Sequence, residues 1–471
     1  MRRNNCCFPL FLLLALALSC LPGRLAASSN QKGYRIAVRI DHCSDSLILL
    51  SHYWGNKAEM DDTARRNQSG WFVFEGSDPQ DEGLYFISGQ QGLHYIDFFI
   101  TSNQHFELGF DSGDPYGTAN GTASVENADF FRVLSALNSR SVREKQPDAD
   151  SAGYILGQAD VSKAEIRSIL AVKAGDSSLA YKFITASIEP GKFQQYFGPV
   201  KKGTGESTAR FFVDHYFDNI DFTDNRLIYT PVLSKRIDQF LDTIGKVPGV
   251  TVQSEIDRLL ELSARNSRTA QFVAWYLMTR FETYYFIEGN DALFVHLVND
   301  YLLKGKTGWY FPELKDRELK QLQTFEPLLN GKPAPDLEMP DSSNHYHDLY
   351  DVKSKYTLLL FWASSCSHCR DEMPSIVSFY KEFHSKYNLE IFGVSTDTSV
   401  SRWKSYIRRH NLSWVNVFGR KSIKGSYHLL YDIRSTPVLY LLDDKKIILS
   451  KYLNPEKAAA IIRQREDKLR P

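Results

Sequence analysis

A continuous apolar run from Tyr356 to Ala363 leads into Cys366-Ser367-His368-Cys369, and a helical pattern follows at once. This strand, dithiol, helix order constrains the chain more than any other feature in it. Two cysteines separated by two residues can close a small disulfide when the first sits at a helix N-terminus. There, unpaired amide donors and the positive end of the helix dipole stabilise a thiolate. A free Cys titrates near ~8.5, and such placement lowers it to roughly 3.5–7.5. The thiolate is the attacking species in disulfide exchange, so position converts an ordinary thiol into a reactive one.

The remainder of the chain bounds this reading. Its 471 residues are too many for one ordinary core and predict about three domains. Formal net charge is +0, so nothing global points to nucleic acid. Charge is uneven, however, at roughly −7 over residues 31–140 and roughly +6 over 329–471. Domains that attract one another, or that merely differ, account for this asymmetry.

At the N-terminus Arg2 and Arg3 precede an apolar run from Phe8 to Leu18 and then Ala26-Ala27-Ser28. That is the order of a secretory leader, too short to cross a bilayer as a helix. Cleavage after Ala27 is expected. Cys20, behind Ala17-Leu18-Ser19, offers a lipid anchor as the alternative and the one expected route to membrane contact. Either route delivers the chain to the periplasm or cell envelope. With residues 1–27 removed, the cysteines left are Cys43, Cys366 and Cys369. Three cysteines exclude a disulfide-stapled scaffold and a four-cysteine zinc site. Cys43 reads as a structural thiol.

Residues 28–140 read as a β-rich domain, a sandwich or small barrel. Tyr34 to Ile40, Trp71 to Phe74 and His105 to Phe110 alternate, with turn clusters between them. From 141 to 327 the period becomes helical. Thr251 caps a helix carrying Ile256, Leu259 and Leu260, and Ser267 is expected to cap a second with Phe272, Trp275, Tyr276 and Phe281. A third begins at Asp291. The aromatic stripe reads as core, and Ser141 to about Ser162 as a polar loop. Gly331-Lys332-Pro333-Ala334-Pro335 then opens a last domain, 328–471, of alternating strands and helices. Strands are expected at 356–363, 389–396, 414–418, 438–442 and 447–453, and helices at 366–387, 400–410 and 455–470. That order gives an α/β sheet layered by helices.

The strand, Cys-x-x-Cys, helix order resembles the thioredoxin superfamily, and more narrowly its extracytoplasmic ResA/TlpA-type thiol-disulfide oxidoreductases. The resemblance covers residues 328–471. It rests on the Gly331-Lys332-Pro333-Ala334-Pro335 lead-in, Phe361-Trp362-Ala363, Pro374 in the helix, and Thr436-Pro437 before a strand. It implies an enzyme without cofactor or metal whose partners are protein thiols and disulfides, apocytochromes c among them, re-reduced by an upstream membrane electron donor. By the same resemblance Cys366 is the exposed nucleophile and Cys369 the buried resolving thiol. Pro437 is the family's cis-proline beside the dithiol, and Thr436 and Trp362 flank the substrate. Glu372 matches the acidic residue that serves as proton shuttle for the buried thiol. Other thioredoxins bury an Asp six residues before the first cysteine, where this chain has Leu360. His368 would favour the Cys366 thiolate and a more oxidising disulfide; Glu372 would oppose it. The expected direction is reduction of clients. Upstream, Gly70 to Phe74 and Tyr216 to Phe222 resemble uncharacterised modules that precede such domains in envelope proteins of Bacteroidetes.

Two other functions stand beside this one. A non-enzymatic envelope protein could use the same domain to bind clients. A thiol peroxidase is the less favoured alternative, since peroxiredoxins carry a Thr or Ser three residues before the attacking cysteine and a Pro seven before. Those positions hold Ala363 and Leu359. No nucleophile-elbow serine is present, and His345-Tyr346-His347 lacks partners for a metal.

Overall fold

The computed structural model describes residues 33–138, 177–187, 208–245, 247, 249–287, 289–305 and 312–469. The expected leader, Cys20 and the polar stretch Ser141 to Ser162 lie outside these residues.

Eight strands form the first part of the chain: β1 Tyr34–Asp41, β2 Leu47–Trp54, β3 Lys57–Arg65, β4 Phe72–Gly76, β5 Gly83–Gly89, β6 His94–Ile100, β7 His105–Asp111 and β8 Asn120–Gly121. They make two four-stranded sheets, ordered β4-β1-β7-β8 and β3-β2-β5-β6. The alternation seen in β1 is one-sided burial, with Ile36, Val38 and Ile40 inward and Arg35 and Arg39 outward. In β6 both faces are buried from Tyr95 to Ile100. Helix α1, Val125–Asn138, provides part of that cover: Phe130 lies edge-on to Phe99 at 4.8 Å, and the buried Asn127 side chain pairs with both the amide and the carbonyl of Phe99. A helix therefore stands inside the segment expected to be wholly β.

The helices that follow are α2 Leu179–Ser187, α3 Thr208–His215, α4 Val232–Ile244, α5 Val252–Ser263, α6 Ser267–Thr283, α7 Asn290–Leu297 and α8 Pro312–Phe325. Thr251 caps α5 as expected, its side chain accepting from the Ser254 amide. Helix α6 is capped by Asn266 and not by Ser267, because the Asn266 carbonyl oxygen reaches both the Arg268 and Thr269 amides. Helix α7 starts one residue before Asp291, behind Gly289 at φ 88°. The aromatic stripe of α6 packs against the β region, Trp54 meeting Phe272 at 5.4 Å and Trp275 at 4.2 Å. Buried side chains from Tyr34 to Phe325 form one continuous cluster, so the sheets and these helices share a core.

The last part opens with a short hairpin, β9 Glu338–Pro340 and β10 Tyr346–Asp348. A five-stranded sheet follows: β11 Tyr356–Trp362, β12 Leu389–Ser395, β13 Val415–Phe418, β14 Val438–Leu442 and β15 Ile448–Lys451, in the order β13-β12-β11-β14-β15. β11 pairs parallel to β12 and antiparallel to β14. Helices α9 Ser367–Tyr387, α10 Val400–His410 and α11 Pro455–Leu469 complete it. The unbroken apolar run of β11 now has its reason. Leu358, Leu360 and Trp362 enter one apolar cluster with residues of α9 and α11, while Leu359 and Phe361 enter another on the opposite face. Each such fully buried Leu or Phe contributes about 1.5–3 kcal/mol. The central strand is thus held from both sides, and its C-terminal end is a rigid platform for what comes next.

Candidate active site

Leaving β11 at Trp362, the chain crosses Ala363-Ser364-Ser365 and enters α9 with Cys366 as the N-cap residue. The turn is held from the neighbouring strand. Parallel pairing sets Trp362 beside Ser395, and the Thr396 amide donates to the Trp362 carbonyl at 2.8 Å. That places the buried Asp397 under the turn. Its carboxylate accepts from the Ser364 amide (2.7 Å), the Ser364 hydroxyl (3.0 Å), the Ser365 hydroxyl (3.3 Å) and the Ser395 hydroxyl (3.1 Å). From the other side, the Arg370 guanidinium donates to the Ser365 carbonyl at 3.1 Å.

Cys366 and Cys369 are free thiols here, the first half-buried and the second buried. Cys366 Sγ takes the place a capping oxygen would occupy, accepting from the Cys369 amide at 3.3 Å. Burial alone would raise its pKa, but the net shift is downward. Hydrogen bonds from the Cys369 thiol, the Thr436 side chain and the Cys369 and His368 amides outweigh the desolvation. Cys369 goes the other way, pushed up to about 12 by burial and by the neighbouring Cys366. One turn of helix therefore separates a thiol prepared to ionise from one that holds its proton.

Thr436-Pro437 is a cis peptide, and the Thr436 carbonyl lies 3.3 Å from Cys366 Sγ, which donates to it. Pro437 is half-exposed beside the dithiol. Other expected residues are placed differently. Trp362 has 0% exposure and lies in the apolar cluster with Cys369 and Met373, 5.3 Å from the Tyr406 ring. With no open surface it meets a client only through its neighbours, so its expected flanking of substrate is indirect. The His368 side chain is exposed, and it is the His368 backbone amide that acts on Cys366. Glu372 is half-buried; desolvation raises its pKa, helped by Glu456 at the start of α11. His347, expected in a polar loop, lies on β10 and pairs with Asp341 at 3.0 Å.

Sequence reasoning missed Asp397 and Tyr406. Tyr406 on α10 has its pKa raised by burial and further by Cys369, with Arg370 opposing. It stacks on His410 at 4.1 Å. Neither residue stands in a motif near the cysteines. The available signal was positional: an Asp just past the strand that pairs in parallel with the cysteine strand.

Residues 330–451 match the model of the AhpC/TSA family, and residues 173–309 match that of a domain of unknown function (DUF5106). The thioredoxin-like protein YneN of Bacillus subtilis is 29% identical over 150 residues, 31% of this chain and 81% of the relative. The thiol-disulfide oxidoreductase ResA of Bacillus cereus is 25% identical over 132 residues, 28% of this chain and 73% of the relative. Among solved structures, a domain of a possible thiol-disulfide isomerase from Cytophaga hutchinsonii is 36% identical, with a TM-score of 0.29, covering 30% of this chain and 97% of that one. A thioredoxin-like protein from Bacteroides caccae is 18% identical, covering 56% of this chain and 96% of that one at a TM-score of 0.47. The C-terminal part of this chain is thus similar to AhpC/TSA-family proteins and to thioredoxin-like thiol-disulfide oxidoreductases.

Proposed function

We propose that this protein is an extracytoplasmic oxidoreductase that reduces disulfides in protein clients through Cys366 and Cys369. The observation that carries the reading is the split of the two thiols across one helical turn, Cys366 half-buried and lowered, Cys369 buried and raised to about 12. The Cys366 thiolate attacks a client disulfide sulfur; the client S–S bond breaks and one client thiolate leaves and is protonated. Cys369 then gives up its proton and attacks Cys366 Sγ, releasing the second client thiol and closing the Cys366–Cys369 disulfide. Two electrons pass from protein to client, and an upstream membrane donor must return them. Thr436 and Pro437 present backbone to the bound client, and Glu372, half-buried and raised, is the carboxylate proposed to act as the base that takes the Cys369 proton. His368 lies at the rim of the site.

The proposed layout is a leader at 1–27, a β-rich region at 28–140, a helical region at 141–327 and the redox domain at 328–471, exported to the periplasm or envelope with apocytochromes c among its clients. Two measurements test the reading. Cys369→Ser should accumulate a mixed disulfide with clients that Cys366→Ser cannot form. The dithiol potential should fall near roughly −250 mV or lower; a value near roughly −120 to −180 mV would make the protein an oxidant or isomerase instead.

A further inference from the structure

The loop that carries Thr436 is held from outside its own domain. Up to Ile433 it is tied locally, the Ile433 amide donating to the His428 carbonyl at 3.1 Å. From Val438 it is strand β14, paired with β11 at Phe361. Between those anchors stands Arg434. Its guanidinium lies over the Tyr285 ring at 4.5 Å and the Phe325 ring at 6.0 Å, its Nη2 donates to Gln321 Oε1 at 3.1 Å, and its Nε donates to Asp432 at 2.9 Å. Tyr285, Gln321 and Phe325 all belong to the helical part of the chain, and Tyr285 lies in the stretch matched to the domain of unknown function.

The two rings form a shelf. Tyr285 stacks on Phe325 at 5.7 Å and 24°, and Phe294 of α7 braces Phe325 edge-on at 5.4 Å. The shelf is in turn fixed to the sheet. Tyr285 meets Tyr452 edge-on at 5.3 Å, and beside it Lys451 of β15 pairs with Asp291 of α7 at 2.5 Å, both 6% exposed. Lys451 also donates to the Leu328 carbonyl at 2.6 Å. A planar guanidinium held face-on by an aromatic and end-on by an amide is fixed in direction as well as distance, which an ammonium would not be.

We propose that this shelf fixes Arg434, and through it Thr436, against the two sulfurs, so that Arg434 and Tyr285 are positioning residues through which the helical region sets the reactivity of the dithiol. The inference rests on Cys366 and Cys369 being the working pair. Thr436 is two residues from Arg434 and contacts Cys366 through its carbonyl. Its side chain also helps hold charge on both sulfurs. A loop released at Arg434 would withdraw both contacts without touching the cysteines.

The test uses the full chain and peptide-resolved alkylation by iodoacetamide across a pH series. Arg434→Ala and Tyr285→Ala should each shift the Cys366 profile and change its alkylation rate near neutral pH by about two- to fivefold, the fold-change that a cation–π contact of this exposure is worth. Tyr285→Phe keeps the ring and should behave as the parent chain. Arg434→Ala combined with Tyr285→Ala should go no further than either alone, because the two act as one contact. An unchanged Cys366 profile in Arg434→Ala, with the fold of the variant verified by circular dichroism, would overturn the proposal. Failure of the underlying reading is separately visible: in the parent chain Cys366 would then alkylate no faster than Cys43.

Discussion

Asp397 offers the sharpest test of how the dithiol is held. Replacing it by Ala removes the acceptor for one amide and three hydroxyls, at Ser364, Ser365 and Ser395. Ser364 is 4% exposed and Ser395 0%, so water cannot take over freely. A buried donor left without its charged acceptor costs roughly 1.5–3 kcal/mol, and hydroxyls that can turn to other partners cost less. The expected local destabilisation of Asp397→Ala is about 3–5 kcal/mol. Asp397→Asn should be far milder, for a geometric reason. The Ser364 amide and Ser395 hydroxyl share Oδ2, while the Ser364 and Ser365 hydroxyls share Oδ1. An Asn can keep its oxygen at the first position and turn its NH2 toward the second, where serine hydroxyls can accept. About 1–2 kcal/mol is expected. Several structural units in one chain make a single unfolding curve hard to assign. Hydrogen exchange resolved to the peptides spanning 356–366 and 389–399 reads the opening free energy where it matters. If the Ala and Asn variants open with free energies within about 0.5 kcal/mol of each other, the carboxylate does not tie the turn and the argument fails.

Alkylation of Cys366 should rise with a midpoint below that of an ordinary thiol, while Cys369 should stay inert until the pH approaches 12; similar rates for the two at pH 8 would contradict the split. Glu372→Gln should flatten a pH dependence of stability. The raised carboxyl of Glu372 means the unfolded chain loses that proton first, so stability falls as pH rises from the ordinary carboxylate value through the raised one. Denaturation curves on either side of that window would show whether the slope disappears. Lys451→Met strands the buried Asp291 charge and should loosen the contact between α7 and β15 by about 3–5 kcal/mol, with Asp291→Leu in the same chain recovering most of it. Exchange rates in α7 and β15 would check both.

What could be read in the sequence was what local chemistry decides. β11 was legible because both of its faces are buried, and α10 because Ser399 caps it and Asn411 at φ 50° ends it. The cysteine pair was legible because its spacing is itself the chemistry. The hairpin β9–β10 was not, since strands of three residues show no period and its turn depends on Asn344 at φ 63°. Asn266 and Ser267 are adjacent capping residues, and only the three-dimensional path of the loop selects the first. Asp397 reaches Ser364 across 33 positions of sequence, Arg434 reaches Gln321 across 113, and Tyr406 meets Trp362 from a separate helix. Their roles come from parallel pairing and domain contact, which no local pattern encodes.

What stabilises the Cys366 thiolate supports the proposed redox direction. The leading contributions are neutral donors: the Cys369 thiol, the Thr436 side chain and two backbone amides. No cation stands among them. The His368 ring points to solvent, and Arg370 is engaged with the Ser364 and Ser365 carbonyls at 3.4 and 3.1 Å. Hydrogen bonds from neutral donors are roughly half as strong as charge-assisted ones. A thiolate held this way stabilises the reduced form only moderately, and a strong oxidant requires a reduced form that is stabilised strongly. His368→Ala should therefore move the potential by less than about 15 mV, half of a tenfold step for a two-electron couple. A fall of about 30 mV or more in that variant would mean that a charged imidazole acts on Cys366 in solution, and the expected direction would have to be reversed.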